Sequence, residues 1–169
     1  MPSSADIAGD VLALTGRIEH ISISPGHNFF YRDKNNPEYY KAASLEEVRC
    51  VAGRGLEGDR FFDFKADYNG QITFFDLDVF DEMARALGVS HRLPATVRRN
   101  VFVRGIDLNA LVGRKFSLQG IVFEGTQECA PCHWMDYSFG PGAHAFLKNR
   151  GGLRAKILST GLLRVGPCD

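Results

Sequence analysis

The chain has 169 residues, 44% of them apolar and 24% charged, and carries no net charge. That length is enough for one hydrophobic core and short for two, and the composition is that of an ordinary soluble globular domain. No apolar run approaches the roughly 20 residues that span a bilayer, and Met1-Pro2-Ser3-Ser4-Ala5-Asp6 lacks the basic and apolar regions of a secretory signal.

Four cysteines with one close pair do not make a disulfide framework, so a reducing, cytoplasmic setting is expected. The zero charge hides an asymmetry. Residues 1–96 carry 10 Lys/Arg against 15 Asp/Glu, and residues 97–169 carry 10 against 5. Either the C-terminal half binds an anion or the two halves neutralise each other across a shared core. No basic run interleaved with aromatics forms a recognisable nucleic-acid module, so neither nucleic acid nor membrane is expected as a partner.

In chain order, Arg17 to Ile23 alternates polar and apolar residues, the period of a half-buried strand. Residues 24–43 read as irregular, with turn signals at Pro25-Gly26 and Asn35-Asn36-Pro37, and form an insertion suited to cover a site. Leu45 to Val51 is strand-like, and Gly53 to Arg60 is a glycine-rich loop. Ile72 to Phe75 is a strand that runs into the clearest helix, with Asp76 as N-cap and Gly88 as stop. Phe80, Met83, Ala84 and Leu87 share one face of it. Val97 to Val103 reads as a strand, Asp107 to Val112 as a helical turn, and Phe116–Leu118 and Ile121–Thr126 as strands. Gly142 to Asn149 reads as a second helix, and Leu153–Leu158 and Leu162–Val165 as closing strands. Short strands without regular strand–helix alternation predict a mostly β, barrel-like single domain over residues 1–169 with a few short helices, its core about 16–165.

Chemistry concentrates at Cys129-Ala130-Pro131-Cys132-His133. Two thiols around a proline suit a metal, a disulfide or a flanked nucleophile, and positive charge nearby would favour the reactive thiolate. Cys50 and Cys168 are lone, and no second close pair completes a zinc site. Arg98-Arg99-Asn100 enters an apolar segment, where buried guanidinium groups would need partners. Either an anion supplies them, since arginine binds phosphate in a bidentate way and asparagine reads heterocycle edges, or the arginines alternate outward and pair with the acidic N-terminal half. In the glycine-rich loop, backbone N–H groups can approach an anion, but no Lys-Ser/Thr ending makes it a nucleotide P-loop. Asp59 and Arg60 lie in that loop, Arg154 follows the turn at Gly151-Gly152, and His27 and Asn28 stand on a loop within reach of a site.

The order of Gly55-Leu56-Glu57-Gly58-Asp59-Arg60, Gln71-Ile72-Thr73, Arg98-Arg99-Asn100-Val101, Gly105-Ile106-Asp107-Leu108, Leu111 to Phe116, Cys129-Ala130-Pro131-Cys132 and Gly151-Gly152-Leu153-Arg154-Ala155 resembles the MOSC domain, named for the C-terminal domain of molybdenum cofactor sulfurase. The resemblance implies a pyruvate-kinase-type β-barrel-like fold and a molybdenum cofactor of the molybdopterin type, with no pyridoxal phosphate. It implies Cys132 as molybdenum ligand, with Arg98, Arg99 and Asn100 lining the cofactor pocket. His27, Asn28, Arg60, Cys129 and Arg154 join them as candidate cofactor-binding residues, and Asp59, His27 or His133 as proton donors. The expected chemistry is reduction of an N-hydroxylated small molecule with electrons from a partner protein. The alternatives are a carrier of cofactor or of persulfide sulfur on Cys132, supplied by a sulfur donor, and a dithiol redox protein using Cys129 and Cys132.

Overall fold

The computed structural model describes residues 10–26 and 42–169. Five short strands come first: β1 (Val11–Ala13), β2 (Arg17–Ile23), β3 (Ala43–Leu45), β4 (Glu47–Val51) and β5 (Gly55–Leu56). β6 (Ile72–Asp76) then passes without a break into α1 (Leu77–Leu87). β7 (Val101–Arg104) is followed by the hairpin of β8 (Lys115–Leu118) and β9 (Ile121–Glu128). Two short helices, α2 (Trp134–Ser138) and α3 (Ala143–Phe146), precede β10 (Leu153–Ile157), β11 (Gly161–Arg164) and β12 (Gly166–Pro167).

Nine strands form one sheet, in the order β1-β8-β9-β10-β6-β7-β2-β12 with β3 paired to β2, and β11-β4-β5 form a second. The large sheet curls into a half-barrel. Irregular registers between Ile18 and His20 in β2 and between Arg154 and Ala155 in β10 mark where the ladder bends. Cys168 draws the two ends together. Its N–H donates to the Gly16 carbonyl (3.0 Å), and its carbonyl accepts from the Gln119 N–H in the β8–β9 turn (2.7 Å).

The core has two layers, and the central strands serve both. From β6 and β7, Ile72, Phe74, Val101 and Val103 point into the barrel, while Phe75 and Phe102 face the helices outside. Both faces are buried, so these strands read as apolar runs instead of alternating ones. Inside the barrel, Phe74 lies edge-on to Phe116 and Phe123 at 5.7 and 5.5 Å. α1 lays Leu77, Phe80 and Met83 over the outer face. Its start is capped by Asp76, whose carboxylate accepts from the Asp78 N–H (2.8 Å), and Gly88 ends it in the left-handed conformation, φ 66°.

Several expectations change. Val97 to Val103 is not one strand: Pro94–Val97 is a 3-10 turn, Arg98 is left-handed at φ 60°, and β7 begins at Val101. The glycine-rich loop contains β5, the helix expected over Gly142–Asn149 shortens to Ala143–Phe146, and α2 had no clear periodic signal. The proposed covering insertion, with His27 and Asn28, lies for the most part outside the described residues. The charge asymmetry is partly resolved at the surface. Arg104 bridges Asp78 and Asp81, Arg150 meets Glu82, Lys156 meets Asp67, and Arg164 meets Glu47, each pairing the basic half with the acidic half.

Candidate functional site

The turn before β7 carries the framework of the site. Asn100 is 4% exposed, and its side chain is fully engaged. Its Oδ1 accepts from the Thr73 backbone N–H and hydroxyl, both at 3.0 Å. Its Nδ2 donates to the Ser22 carbonyl (3.2 Å) and reaches Asp59 Oδ1 at 3.5 Å. Asn100 therefore knits β2, β6 and the glycine loop together, and its amide is turned to the protein where the sequence had suggested a heterocycle. Asp59 is likewise a hub. One oxygen accepts from the Ser24 N–H (3.0 Å), the other from the Phe61 N–H (3.2 Å), and Arg60 Nη1 lies at 3.4 Å. A buried carboxylate held by this many donors is suited to positioning.

Arg99, also buried, braces the cysteine loop. Its guanidinium donates to the carbonyls of Gly151 (2.9 Å), Val97 (3.1 Å) and Cys129 (3.0 Å). The loop lies so close to the start of β10 that a Cβ on Gly151 would stand 2.1 Å from the Cys129 carbonyl oxygen. The Cys129 N–H meanwhile donates to the Gly152 carbonyl (2.8 Å). The glycine pair seen in the sequence is thus what lets Cys129-Ala130-Pro131-Cys132 settle on the barrel rim.

Three further arginines converge beside it. Arg98 donates to the Ser24 hydroxyl (3.0 Å) and the Gly26 carbonyl (2.8 Å), and burial with Arg60 nearby pulls its guanidinium down to about 10 against the opposing charge of Asp59. Burial also pulls Arg60 below the usual arginine range. Asp59 opposes that shift, and Arg99 adds to it. Burial alone would lower Arg154, but the nearby Cys129 sulfur and Tyr68 oxygen more than offset it and raise it above its usual range. Arg60, Arg98, Arg99 and Arg154 thus share one region, in which the carboxylates among the described residues are Asp59 and Glu128, the latter accepting from the Gly151 N–H (3.3 Å). Arg60 Nε is buried with no hydrogen-bond partner among the described residues. A buried, unpartnered guanidinium nitrogen within an excess of positive charge fits an anionic group bound there.

The two thiols differ. Cys129 is 5% exposed and pinned through both its backbone N–H and its carbonyl. Cys132 is half-buried, and its carbonyl accepts the first bond of α2, from the Met135 N–H (2.9 Å). His133 follows it at the helix start, exposed, with its ring 4.4 Å from that of His144. Cys50 and Cys168 lie elsewhere in the barrel core, and burial pushes them up to about 12 and about 11, which keeps both as inert thiols. No group of three or more His, Cys, Asp or Glu is arranged to hold a metal among the described residues. A metal carried on a cofactor brings most of its own ligands and asks the protein for only one or two. The residues present therefore fit such a group: soft sulfur from the loop and guanidinium nitrogens for its phosphate.

The structure thus brings Asp59, Arg60, Arg98, Arg99, Asn100, Cys129 and Arg154 together from distant parts of the chain, with Cys132 and His133 on the adjoining loop. It adds Ser22, Ser24 and Thr73 as supports and Tyr68 as a neighbour of Arg60 and Arg154. Thr73 was visible as a polar residue in an otherwise apolar strand. Tyr68 had no sequence signal apart from the aromatic density of Phe61 to Tyr68.

The curled sheet, the cysteine loop beside β10 and the group of arginines next to it define a β-rich half-barrel domain with one polar, arginine-rich region. The chain belongs to the MOSC domain family, whose model matches residues 62–167. That family is associated with the molybdenum cofactor. Among solved structures, the YuaD protein of Bacillus subtilis is similar at a TM-score of 0.71 and 17% identity, over 91% of this chain and 93% of that one. YiiM from Geobacillus stearothermophilus is similar at a TM-score of 0.65 and 13% identity, over 89% of this chain and 72% of its own. YiiM from Escherichia coli gives 0.61 and 15%, over 89% and 68%. At these identities the likeness speaks for the fold. A search of curated protein sequences found no match. No helix among the described residues is long and apolar enough to cross a membrane.

Proposed function

We propose that this protein binds a molybdenum cofactor of the molybdopterin type, with Cys132 as the thiolate that ligates the metal. The observation that carries this is the buried Arg60 Nε, without a hydrogen-bond partner among the described residues, in the company of Arg98, Arg99 and Arg154 and near Cys129. Arg60, Arg98 and Arg154 would hold the cofactor's phosphate. Cys132 suits the metal better than Cys129, because it is the more accessible thiol. When bound, the cofactor would supply a metal that exchanges electrons and oxygen with substrate.

The reaction this favours is reduction of an N-hydroxylated small molecule. Removing that oxygen takes two electrons and two protons and releases water; the electrons would come from a separate donor protein in the cytoplasm. His133, exposed beside Cys132 and in ring contact with His144, is the better placed proton donor. Asp59, with both oxygens engaged inside the fold, instead positions Arg60 and the Ser24 backbone.

Metal analysis of protein purified from a host that makes the cofactor tests this. We expect molybdenum and pterin together, and loss of molybdenum in Cys132→Ser with the fold intact by circular dichroism. Molybdenum retained in Cys132→Ser, or absent from the wild type, rejects the ligand assignment. Cyanide-releasable sulfur on Cys132 without molybdenum would instead identify a persulfide carrier.

A further inference from the structure

Two imidazoles meet where the cysteine loop enters the helices. His133 stands at the start of α2 and His144 in α3, with ring centroids 4.4 Å apart and an interplanar angle of 46°. His133 is exposed and His144 half-buried. The pair is positioned through the backbone. The His144 N–H donates to Asp136 Oδ1 (2.8 Å), which ties the start of α3 to the first turn of α2. The rings themselves make no hydrogen bond among the described residues. His20 differs: its ring lies 3.4 Å from the Ser44 hydroxyl and packs on Phe102.

Two imidazoles held side by side from separate helices, with uncommitted ring nitrogens, make a chelate for the metals that imidazole suits. Nitrogens that coordinate one ion at about 2.1 Å put the ring centres about 4.5 Å apart in a right-angle arrangement and about 5 Å apart in a tetrahedral one. The observed separation lies at the close end of that range. The rings can turn their nitrogens to a common ion by rotation about their terminal torsions, which are soft. The Asp136 carboxylate adds negative charge beside the pair, which favours a cation. A pair is fewer than the three or four ligands of a structural site, so water fills the other positions and the ion exchanges readily. We propose that His133 and His144 bind a first-row divalent transition-metal ion, of the class of Ni2+, Cu2+ and Zn2+. The site stands apart from the cofactor reading, in which neither ring holds the metal.

Trp134 directly follows His133 and is the chain's only tryptophan, so its emission reports on a paramagnetic ion at the pair. The untagged full chain is titrated with Ni2+ at neutral pH, with Mg2+ as a hard-cation control. Saturable quenching is expected with Ni2+ and none with Mg2+, and excess Zn2+ should restore the emission by displacing nickel. His133→Gln and His144→Gln, each with a circular dichroism spectrum matching the wild type, are expected to weaken nickel binding at least about tenfold. Cys132→Ser is expected to leave it unchanged. No saturable quenching in the wild type, or quenching unaltered in His144→Gln, overturns the site. Quenching lost in Cys132→Ser but kept in both histidine variants would place nickel on the thiol and overturn it as well.

Discussion

Single residues decide whether the cysteine loop exists in its present form, and Gly151 is the clearest of them. A methyl group there would meet the Cys129 carbonyl at 2.1 Å and Pro131 Cδ at 2.9 Å, and the first of these is backbone that cannot swing away. Gly151→Ala is therefore expected to cost about 3 kcal/mol of stability in urea unfolding, near the upper end for single substitutions. It should also lower molybdenum content in whatever protein folds, since the loop must lift from β10 and from its bond to Arg99. A stability change within the scatter of surface substitutions would mean that the loop relaxes freely. Asn100 makes the same point with hydrogen bonds. Its four contacts to Thr73, Ser22 and Asp59 leave no room for an apolar replacement without orphaned buried groups.

At the scale of elements, the β6–α1–β7 unit places the site. β6 and β7 are parallel neighbours, so a crossover must join them, and α1 supplies it on the outer face. The start of the helix is tied to the end of β7: Asp76, its N-cap, stands opposite Val103, and Arg104 pairs with Asp78 and Asp81 in the first turns. Asp76→Ala should therefore cost about 1 kcal/mol, measured by chemical denaturation, with molybdenum content preserved because no site contact is touched. A much larger loss would show that the cap also secures the β6–β7 pairing. The short α2 contributes differently. Met135 and Phe139 anchor it to the outer core, and this anchoring fixes where Cys132 and His133 sit at its start.

For the whole molecule, curling of the sheet buries two thiols that have no part in the site, with a consequence for pH. The folded state keeps Cys50 protonated up to about 12 and Cys168 up to about 11, chiefly through burial, against an ordinary value of 9.0. The unfolded chain releases these protons near its ordinary value, so above it the unfolded state binds fewer protons than the folded one. Stability from these groups is thus fully present below about pH 9 and falls as pH rises towards 11–12, by on the order of 1 kcal/mol per pH unit for each thiol. Unfolding free energies across that window should decline less steeply in Cys50→Ala than in the wild type. Parallel curves for the two would contradict the burial argument.

The sequence alone established much of the local structure. Alternation marked β2, the Asp76 cap and Gly88 stop bounded α1, and the order of glycine, arginine and cysteine motifs indicated the family and its barrel-like fold. These features are local, set by side-chain period, capping chemistry and turn geometry over a few residues. Tertiary structure decided what each polar residue does. Arg98, Arg99 and Asn100 are adjacent in sequence, yet the left-handed turn at Arg98 sends them to different tasks. Arg98 faces the Ser24–Gly26 turn, Arg99 braces the cysteine loop, and Asn100 ties strands together. Arg60 and Arg154 come near Cys129 only because β6, β9 and β10 are neighbours in the curled sheet. Burial and the pairing of distant charges depend on contacts across the whole fold, and no window of sequence contains them.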